Sequence, residues 1–182
     1  MSLMNADNVF LSEFKTLNGM IPFDYFTNKD FEPAIDFGIE KAKAEVQAIV
    51  DNPENPTFDN TIVALERTGE DLNRVINVFY PLLSANADDE LMEISQRVSP
   101  KLSEYGNFIS LHEGLWKRVK YVYENCDKNT LCTEDQMLLE KTYQSFARNG
   151  ANLEGADREK YRELSTKISQ LSLKFGQNVL KE

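Results

Sequence analysis

The chain has 182 residues, of which 41% are hydrophobic and 27% are charged, and its formal net charge at pH 7 is −10. This composition predicts one soluble globular domain, or a piece of a larger protein, with enough residues to bury a sizeable core. Its 30 acidic and 20 basic residues, with no local Lys/Arg cluster, argue against nucleic acid and anionic membranes as partners. No apolar run approaches the ~20 residues that cross a bilayer.

The beginning of the chain, MSLMNADNVF, has neither a positive n-region nor a long apolar core, so it is not an intact signal peptide. Residues 1–3, in front of Met4, are interpreted as a remnant of cloning ahead of a native start. This predicts a cytoplasmic protein; the alternative is a periplasmic protein whose signal peptide was removed. Cys126 and Cys132 are close enough in sequence to approach each other, but we expect two free thiols, as in a reducing compartment.

Residues 1–26 are predicted to form an arm, because no helical periodicity is present there. The arm is expected to contain one helical turn near Ser12 and to be held on the body by aromatic side chains. These are Phe10, Phe14, Phe23, Tyr25 and Phe26. A helical domain is predicted for residues 27–182, where Thr27 and Asp30 form a capping box that opens a first helix reaching about Asp51.

A second helix is predicted to begin at Thr57, after a turn forced by Pro53 and Pro56. Its apolar or small positions recur in steps of four and three: Phe58, Ile62, Leu65, Gly69, Leu72, Ile76, Phe79 and Leu83. This seam predicts one helix of about 40 Å that reaches Ser84. Gly69 is expected to mark the closest approach of another helix, and Pro81 is expected to bend the last turns.

Three shorter patterns predict a third, a fourth and a fifth helix. The third begins at a cap among residues 86–89 and has Pro100 as the site of a second bend. The fourth is short and carries Trp116. The fifth opens with a capping box of Thr133 and Gln136.

Gly150 is placed to end the fifth helix, and a sixth helix is predicted to run to Glu182. The apolar positions of the sixth helix are Tyr161, Leu164, Ile168, Leu171, Phe175 and Val179. Because residues 177–182 contain neither glycine nor proline, we expect a chain cut from a longer protein; the alternative is a helix that frays at a natural C-terminus. No segment alternates as a strand does. The predicted fold class is all-α: about six antiparallel, partly kinked helices in a bundle-like domain without a sheet.

The side chains that carry chemistry point to no catalytic site. His112 is the one histidine, and in the sequence His112-Glu113 the second ligand position of an H-E-x-x-H zinc motif is occupied by Trp116, so we expect a surface or capping role. The paired carboxylates are interpreted as helix starts and solvated faces, where the helix dipole favours negative charge. These pairs are Asp88-Asp89-Glu90, Glu154 with Asp157, and Glu70-Asp71.

The segment NPENPTFDNTIVALERTGEDLNRV, residues 52–75, resembles the N-terminal region of the M3 family of zinc metallopeptidases. Within that family it is most similar to the peptidyl-dipeptidase (Dcp) branch, with the oligopeptidase A branch next. Further segments agree in order and spacing: Ile21–Asp24 with Phe31–Ala34, Glu140–Tyr143 through Gly150–Leu153, and Lys174–Leu180. The resemblance extends from about Phe10 to Glu182.

The resemblance implies an architectural role for these residues. Members of the family are several times longer, and their zinc-binding H-E-x-x-H helix and downstream glutamate lie in the C-terminal part. No catalytic, cofactor-binding or metal-binding residue is therefore carried over to this chain, and zinc is expected in the longer parent alone. The family's N-terminal helices form one wall of a deep channel that admits short peptides.

We therefore expect the channel-wall domain of a peptidase that releases dipeptides from peptide C-termini, inactive by itself. The alternative is a stand-alone helical module that binds peptides or regulates without catalysis. If a catalytic domain normally covers one side, the isolated chain should expose an apolar patch and self-associate.

Overall fold

The computed structural model describes residues 8–153 and 155–181, with side chains as far as residue 179. The described residues contain six α-helices of 13 or more residues and no strand. These helices are α1 (Phe31–Val50), α2 (Glu70–Ala85), α3 (Asp89–Ser110), α4 (Glu113–Asn125), α5 (Thr133–Arg148) and α6 (Gly155–Lys181). The predicted all-α fold class is confirmed.

The N-terminal arm is fixed to the body mainly through Phe10. This ring is 1% exposed, and its centroid lies 4.8 Å from the ring of Phe26 and 5.1 Å from that of Phe31. Phe23 and Tyr25, which were also expected to hold the arm, are exposed instead. The helical turn expected near Ser12 is the 3-10 turn Val9–Leu11, and two more such turns are Leu17–Gly19 and Phe23–Tyr25.

The predicted single helix from Thr57 to Ser84 is wrong. Thr57 caps as expected, because its hydroxyl accepts a hydrogen bond from the amide of Asn60 at 3.1 Å. The segment that follows is a π-helix, Phe58–Val63, and then a single α-helical turn, Ala64–Glu66. The chain turns before α2 begins, so the apolar seam is shared by two separate elements.

Gly69 causes this break, because its φ of +72° is a left-handed conformation that a side chain disfavours. As the N-cap of α2 it has no side chain that could satisfy the free amides of the first turn. Glu45 of α1 instead accepts a hydrogen bond from the amide of Gly69 itself, at 2.8 Å across the interface. The four–three spacing of apolar or small residues continues across this turn, so the sequence pattern did not reveal the break.

Gly69 does not mark the closest helix approach as predicted, because a tighter backbone contact lies at Gly38. A Cβ atom at Gly38 of α1 would stand 2.8 Å from the Cα atom of Leu72 in α2. A Cβ atom at Gly69 would meet nothing nearer than the Tyr105 hydroxyl at 3.3 Å and the Ala42 Cβ atom at 3.6 Å. Gly38 thus allows α1 and α2 to pack backbone to backbone.

Two hydrophobic cores lie along α1. The first joins the arm, the first half of α1, α2 and the first half of α3, and its buried residues are Phe10, Phe31, Ala34, Ile35, Ile39, Leu72, Val75, Val78, Phe79, Leu91, Ile94 and Val98. The second joins the second half of α1, the π-helical segment, α4 and α5, and its buried residues are Val46, Ile49, Ile62, Leu115, Val119, Val122, Leu139 and Phe146. Helix α1 is therefore the element that both cores share.

Apart from the break at Gly69, the helix caps agree with the sequence except at α5. Thr27 and Asp30 form their capping box, Asp88 caps α3, and Gly150 follows α5 with a φ of +88°. The predicted box of Thr133 and Gln136 is wrong. Cys132 is the N-cap of α5, and the side-chain Nε2 of Gln136 donates to the carbonyls of Lys128 and Leu131.

Pro81 and Pro100 lie inside α2 and α3, as expected, and the bends proposed for them stay predictions. Within the part of the chain that the structure describes, no helix combines the length and apolarity needed to cross a membrane.

Candidate functional site

His112 is the N-cap of α4. Its Nδ1 atom accepts a hydrogen bond from the amide of Leu115 at 3.3 Å, and its ring packs edge-on against Phe108 at 5.2 Å. The neighbouring Glu113 forms an ion pair with Arg158 of α6 at 2.7 Å. The ring nitrogen that would serve as a base or metal ligand is therefore committed to a helix end, so the capping role predicted for His112 is confirmed.

The paired carboxylates occupy helix starts. Asp88 accepts from the amide of Leu91 at 2.7 Å and from the side chain of Asn28. Asp157 lies in the first turn of α6, and its predicted partner Glu154 lies outside the described residues. Asp88 and Asp157 are exposed, so neither lies in a desolvated cleft of the kind that general acid–base catalysis requires.

Asp71, in the first turn of α2, is the centre of a small ion cluster. Its carboxylate pairs with Lys41 of α1 and, at 2.7 Å, with Arg74. Burial alone would raise its pKa, but the hydrogen bonds from Lys41 and Arg74 prevail and hold the pKa of Asp71 below its ordinary value. The cluster ties α1 to α2 beside the Gly38 contact.

The two thiols are free, as expected. Cys126 is half-buried at the end of α4, and Cys132 is exposed at the start of α5. Across the described ranges, no three His, Cys, Asp or Glu side chains are grouped to hold a metal ion.

The surface feature that stands out is the apolar side of α6, which we call the α6 stripe. It consists of Leu164, Ile168, Leu171, Phe175 and Val179, whose exposed fractions range from 49% to 71%. Residues spaced by three and four positions share one side of a helix, and in a globular protein such a side is normally buried. An exposed apolar strip of this length marks a binding surface rather than an ordinary solvent face.

Helix α6 packs on α3 with its polar side. Ser169 lies 3.3 Å from Ser103 of α3, oxygen to oxygen. Gln177 lines the crevice between α3 and α6, and its side-chain nitrogen is buried there without a hydrogen-bond partner among the described residues. The helix thus presents mainly small and polar groups, together with Leu173, to the bundle and the α6 stripe to the solvent.

The C-terminal half of the α6 stripe borders an open groove of about 450 Å³. Phe175 and Val179 form one side, and Tyr80 and Leu83 of α2 lie opposite, with Met92 of α3. Burial raises the pKa of the Tyr80 hydroxyl, although 43% of the residue stays exposed. The groove and the α6 stripe form one continuous apolar surface, which is the candidate functional site of the chain.

The proteins to which the chain is similar are named as peptidases. The dipeptidyl carboxypeptidase of Escherichia coli K12 is 38% identical over 178 residues, which is 97% of this chain and 26% of that protein. The dipeptidyl carboxypeptidase of Salmonella typhimurium is 33% identical over 87% of this chain and 23% of that protein. The oligopeptidase A of Escherichia coli K12 is 25% identical over 87% of this chain and 23% of that protein.

The chain corresponds to the N-terminal region of an M3-family peptidase. It is more similar to the two dipeptidyl carboxypeptidases than to the oligopeptidase A. The chain spans about a quarter of the length of the curated relatives it matches. No family model matches it.

A zinc ion is the metal that the M3 family implies, and the described residues do not fit one. The imidazole of His112 caps α4, Glu113 is paired with Arg158, and Trp116 occupies the position of a second ligand. Zinc sites need about three protein ligands that converge on the ion.

Two features of this M3 region escaped the sequence analysis. The first is which side of α6 faces the bundle. The sequence did not show this, because both sides of the helix carry residues that can pack on a neighbour. The second is Arg118, which is 8% exposed and donates to the carbonyls of Asn52 (2.9 Å) and Glu54 (3.3 Å). A signal for it was present, since Arg118 stands between the apolar positions Leu115 and Val119 of α4.

Proposed function

We propose that the chain is the N-terminal, channel-wall domain of a zinc-dependent peptidyl-dipeptidase or oligopeptidase. The observation that supports it most is the 38% identity to a dipeptidyl carboxypeptidase across 97% of the chain. The parent hydrolyses short peptides and releases dipeptides from their C-termini. By itself the chain is inactive, because the zinc site lies in another part of the parent.

The role proposed for these helices is to control access. A wall of rigid helices beside a catalytic centre restricts entry to short, unfolded peptides, since a folded protein does not fit into a narrow channel. Two cores along α1, with backbone contact between α1 and α2, provide the stiffness that such a wall needs. The parent is proposed to act in the cytoplasm.

A second candidate is a stand-alone helical module that binds peptides without cleaving them. The groove between Phe175 and Tyr80 favours it, because its apolar lining can receive a large side chain of a peptide. Reading the source gene beyond codon 182 separates the two candidates. A stop codon supports the module, and an H-E-x-x-H sequence several hundred residues further on supports the peptidase.

The experiment that tests the first proposal compares the 182-residue chain with the full product of the source gene. Both are incubated with a short peptide whose termini are free, with and without added zinc, and the products are identified by mass spectrometry. We expect C-terminal dipeptides from the full product and no cleavage by the chain. Zinc-dependent cleavage by the chain alone would contradict the proposed inactivity.

A further inference from the structure

A row of lysines runs along one edge of the α6 stripe. Lys160, Lys167 and Lys174 are spaced by seven residues, so they follow the same line along the helix, and all three are exposed. In heptad notation, Ile168 and Phe175 take position a, Leu164 and Leu171 take position d, and the lysines take every position g. Position e on the other edge is occupied by Arg158, Ser165, Ser172 and Val179, of which only Arg158 is charged, and it is paired with Glu113.

This pattern is that of one half of a helix pair. In such pairs the a and d side chains form the apolar seam, while the flanking e and g positions select the partner by charge. Three positive charges in line are notable because the whole chain has a net charge of −10. The partner that matches them electrostatically is a helix with carboxylates along the facing edge.

A second copy of α6 does not meet this requirement. In an antiparallel pair the lysine rows of Lys160, Lys167 and Lys174 would face each other, and like charges that face each other repel. In a parallel pair each lysine row would face Ser165 and Ser172, which offer no negative charge. Charge complementarity therefore argues against self-pairing through this surface.

We infer that the α6 stripe binds an amphipathic helix whose apolar side is edged by Asp or Glu, and that this helix comes from the part of the longer parent outside the present chain. The inference rests on the proposed function, since it needs a parent longer than these residues. The groove beside Tyr80 and Leu83 gives the partner helix a place for one large apolar side chain at the C-terminal half of α6.

The first test uses two designed peptides of about four heptads with identical Leu and Ile at a and d. One carries Glu at e and g, and the other carries Lys there. Binding of each labelled peptide to the chain is measured by fluorescence anisotropy at about 50 mM salt, where charge effects are large. We expect the Glu peptide to bind at least about tenfold more tightly than the Lys peptide.

Two variants locate the charge effect. In the triple variant Lys160→Glu, Lys167→Glu, Lys174→Glu, the preference should reverse. The matched control Lys15→Glu, Lys117→Glu, Lys141→Glu removes the same number of exposed lysines elsewhere and should keep the preference of the unchanged chain. Circular dichroism verifies that each variant stays helical.

Several outcomes would overturn the inference. They are equal binding of the two peptides, binding of neither, or a preference that the α6 triple variant leaves unchanged. A dimer of the chain that Ile168→Glu dissociates would assign the surface to a second copy. Binding to phosphatidylserine vesicles in place of the Glu peptide would assign it to a membrane.

The second test addresses the source of the partner helix. Leu171→Cys is introduced into the chain and into the full gene product, with Cys126→Ser and Cys132→Ser in both. We expect a thiol reagent to label Cys at this position at least about tenfold more slowly in the full product, because a docked helix covers it. Equal labelling in a full product that cleaves peptides would overturn the inference and leave the proposed function standing.

Discussion

The Cα atom of Leu72 lies 2.8 Å from the point that a Cβ atom at Gly38 would occupy, so α1 and α2 touch through their backbones. Two helices approach this closely only where one of them has no side chain. The contact lies within the first core, between the buried residues Ile35 and Ile39. It holds α2 against the helix that both cores share.

Replacing Gly38 should therefore separate the two helices. For Gly38→Ala we expect a loss of about 1–3 kcal/mol in the free energy of unfolding, because the added methyl group meets backbone atoms that cannot rotate away. The matched control is Gly106→Ala in α3, where nothing lies within 4 Å of the added atom. Urea titrations followed by circular dichroism measure both. Equal free energies of unfolding for the two variants would contradict a tight backbone contact at Gly38.

Replacing Gly69 should lower the stability of the chain through backbone strain. Its φ of +72° disfavours any Cβ atom, and we expect Gly69→Ala to destabilise the chain by about 1–2 kcal/mol. Gly69→Asn should cost less, because asparagine tolerates the left-handed conformation. The same urea titrations compare them. Equal free energies of unfolding for Gly69→Ala and Gly69→Asn would show that backbone strain does not explain the need for glycine at this position.

Arg118 should stabilise the loop between α1 and the π-helical segment. Its guanidinium donates to the carbonyls of Asn52 and Glu54 and, at 3.1 Å, to Oδ1 of Asn60. Arg118→Met removes the donor to the carbonyls of Asn52 and Glu54, whereas Oδ1 of Asn60 still accepts from the amide of Thr57, so we expect a loss of about 2–4 kcal/mol in the free energy of unfolding. The exposed Arg148→Met is the matched control and should change stability by less than about 0.5 kcal/mol. A loss below 1 kcal/mol for Arg118→Met, by the same unfolding measurement, would mean that the loop does not depend on this side chain.

The ion cluster of Asp71 predicts a dependence on pH. Because the pKa of Asp71 is lower in the folded chain than in the unfolded chain, its contribution is present above the unfolded value and is lost as the pH falls through the folded one. Below about pH 4 the unchanged chain should therefore lose more stability than Asp71→Asn does. The effect is at most about 1 kcal/mol, since Lys41 is half exposed. The free energies of unfolding of the unchanged chain and of Asp71→Asn are compared at pH 7 and pH 3. An equal loss of stability in both would contradict a lowered pKa of Asp71 in the folded chain.

The sequence predicted the fold class well because most helices bury one regular apolar side. Caps at Thr27, Thr57 and Asp88 were recognised because their side chains act on neighbouring amides. The break at Gly69 was missed because a turn of three residues keeps the helical spacing in phase. The backbone contact at Gly38 depends on a residue far away in sequence and has no local signal.

The candidate site was harder to predict than the fold. The positions Leu164, Ile168 and Phe175 were identified as apolar, but sequence periodicity does not say whether such a side meets the bundle or another partner. The contact of Ser169 with Ser103 of α3 shows which side of α6 meets the bundle. The prediction that no residue of this chain is catalytic is compatible with the similarity to peptidases, because zinc chemistry is proposed for another part of the parent.

The measurement that tests the central proposal most directly is zinc content. The chain and the full product of its source gene are dialysed against micromolar zinc, then against zinc-free buffer, and the bound metal is determined by mass spectrometry. We predict about one zinc ion per molecule in the full product, with peptide cleavage, and none retained by the chain. Stoichiometric zinc on the 182-residue chain, together with cleavage of a short peptide, would contradict the account.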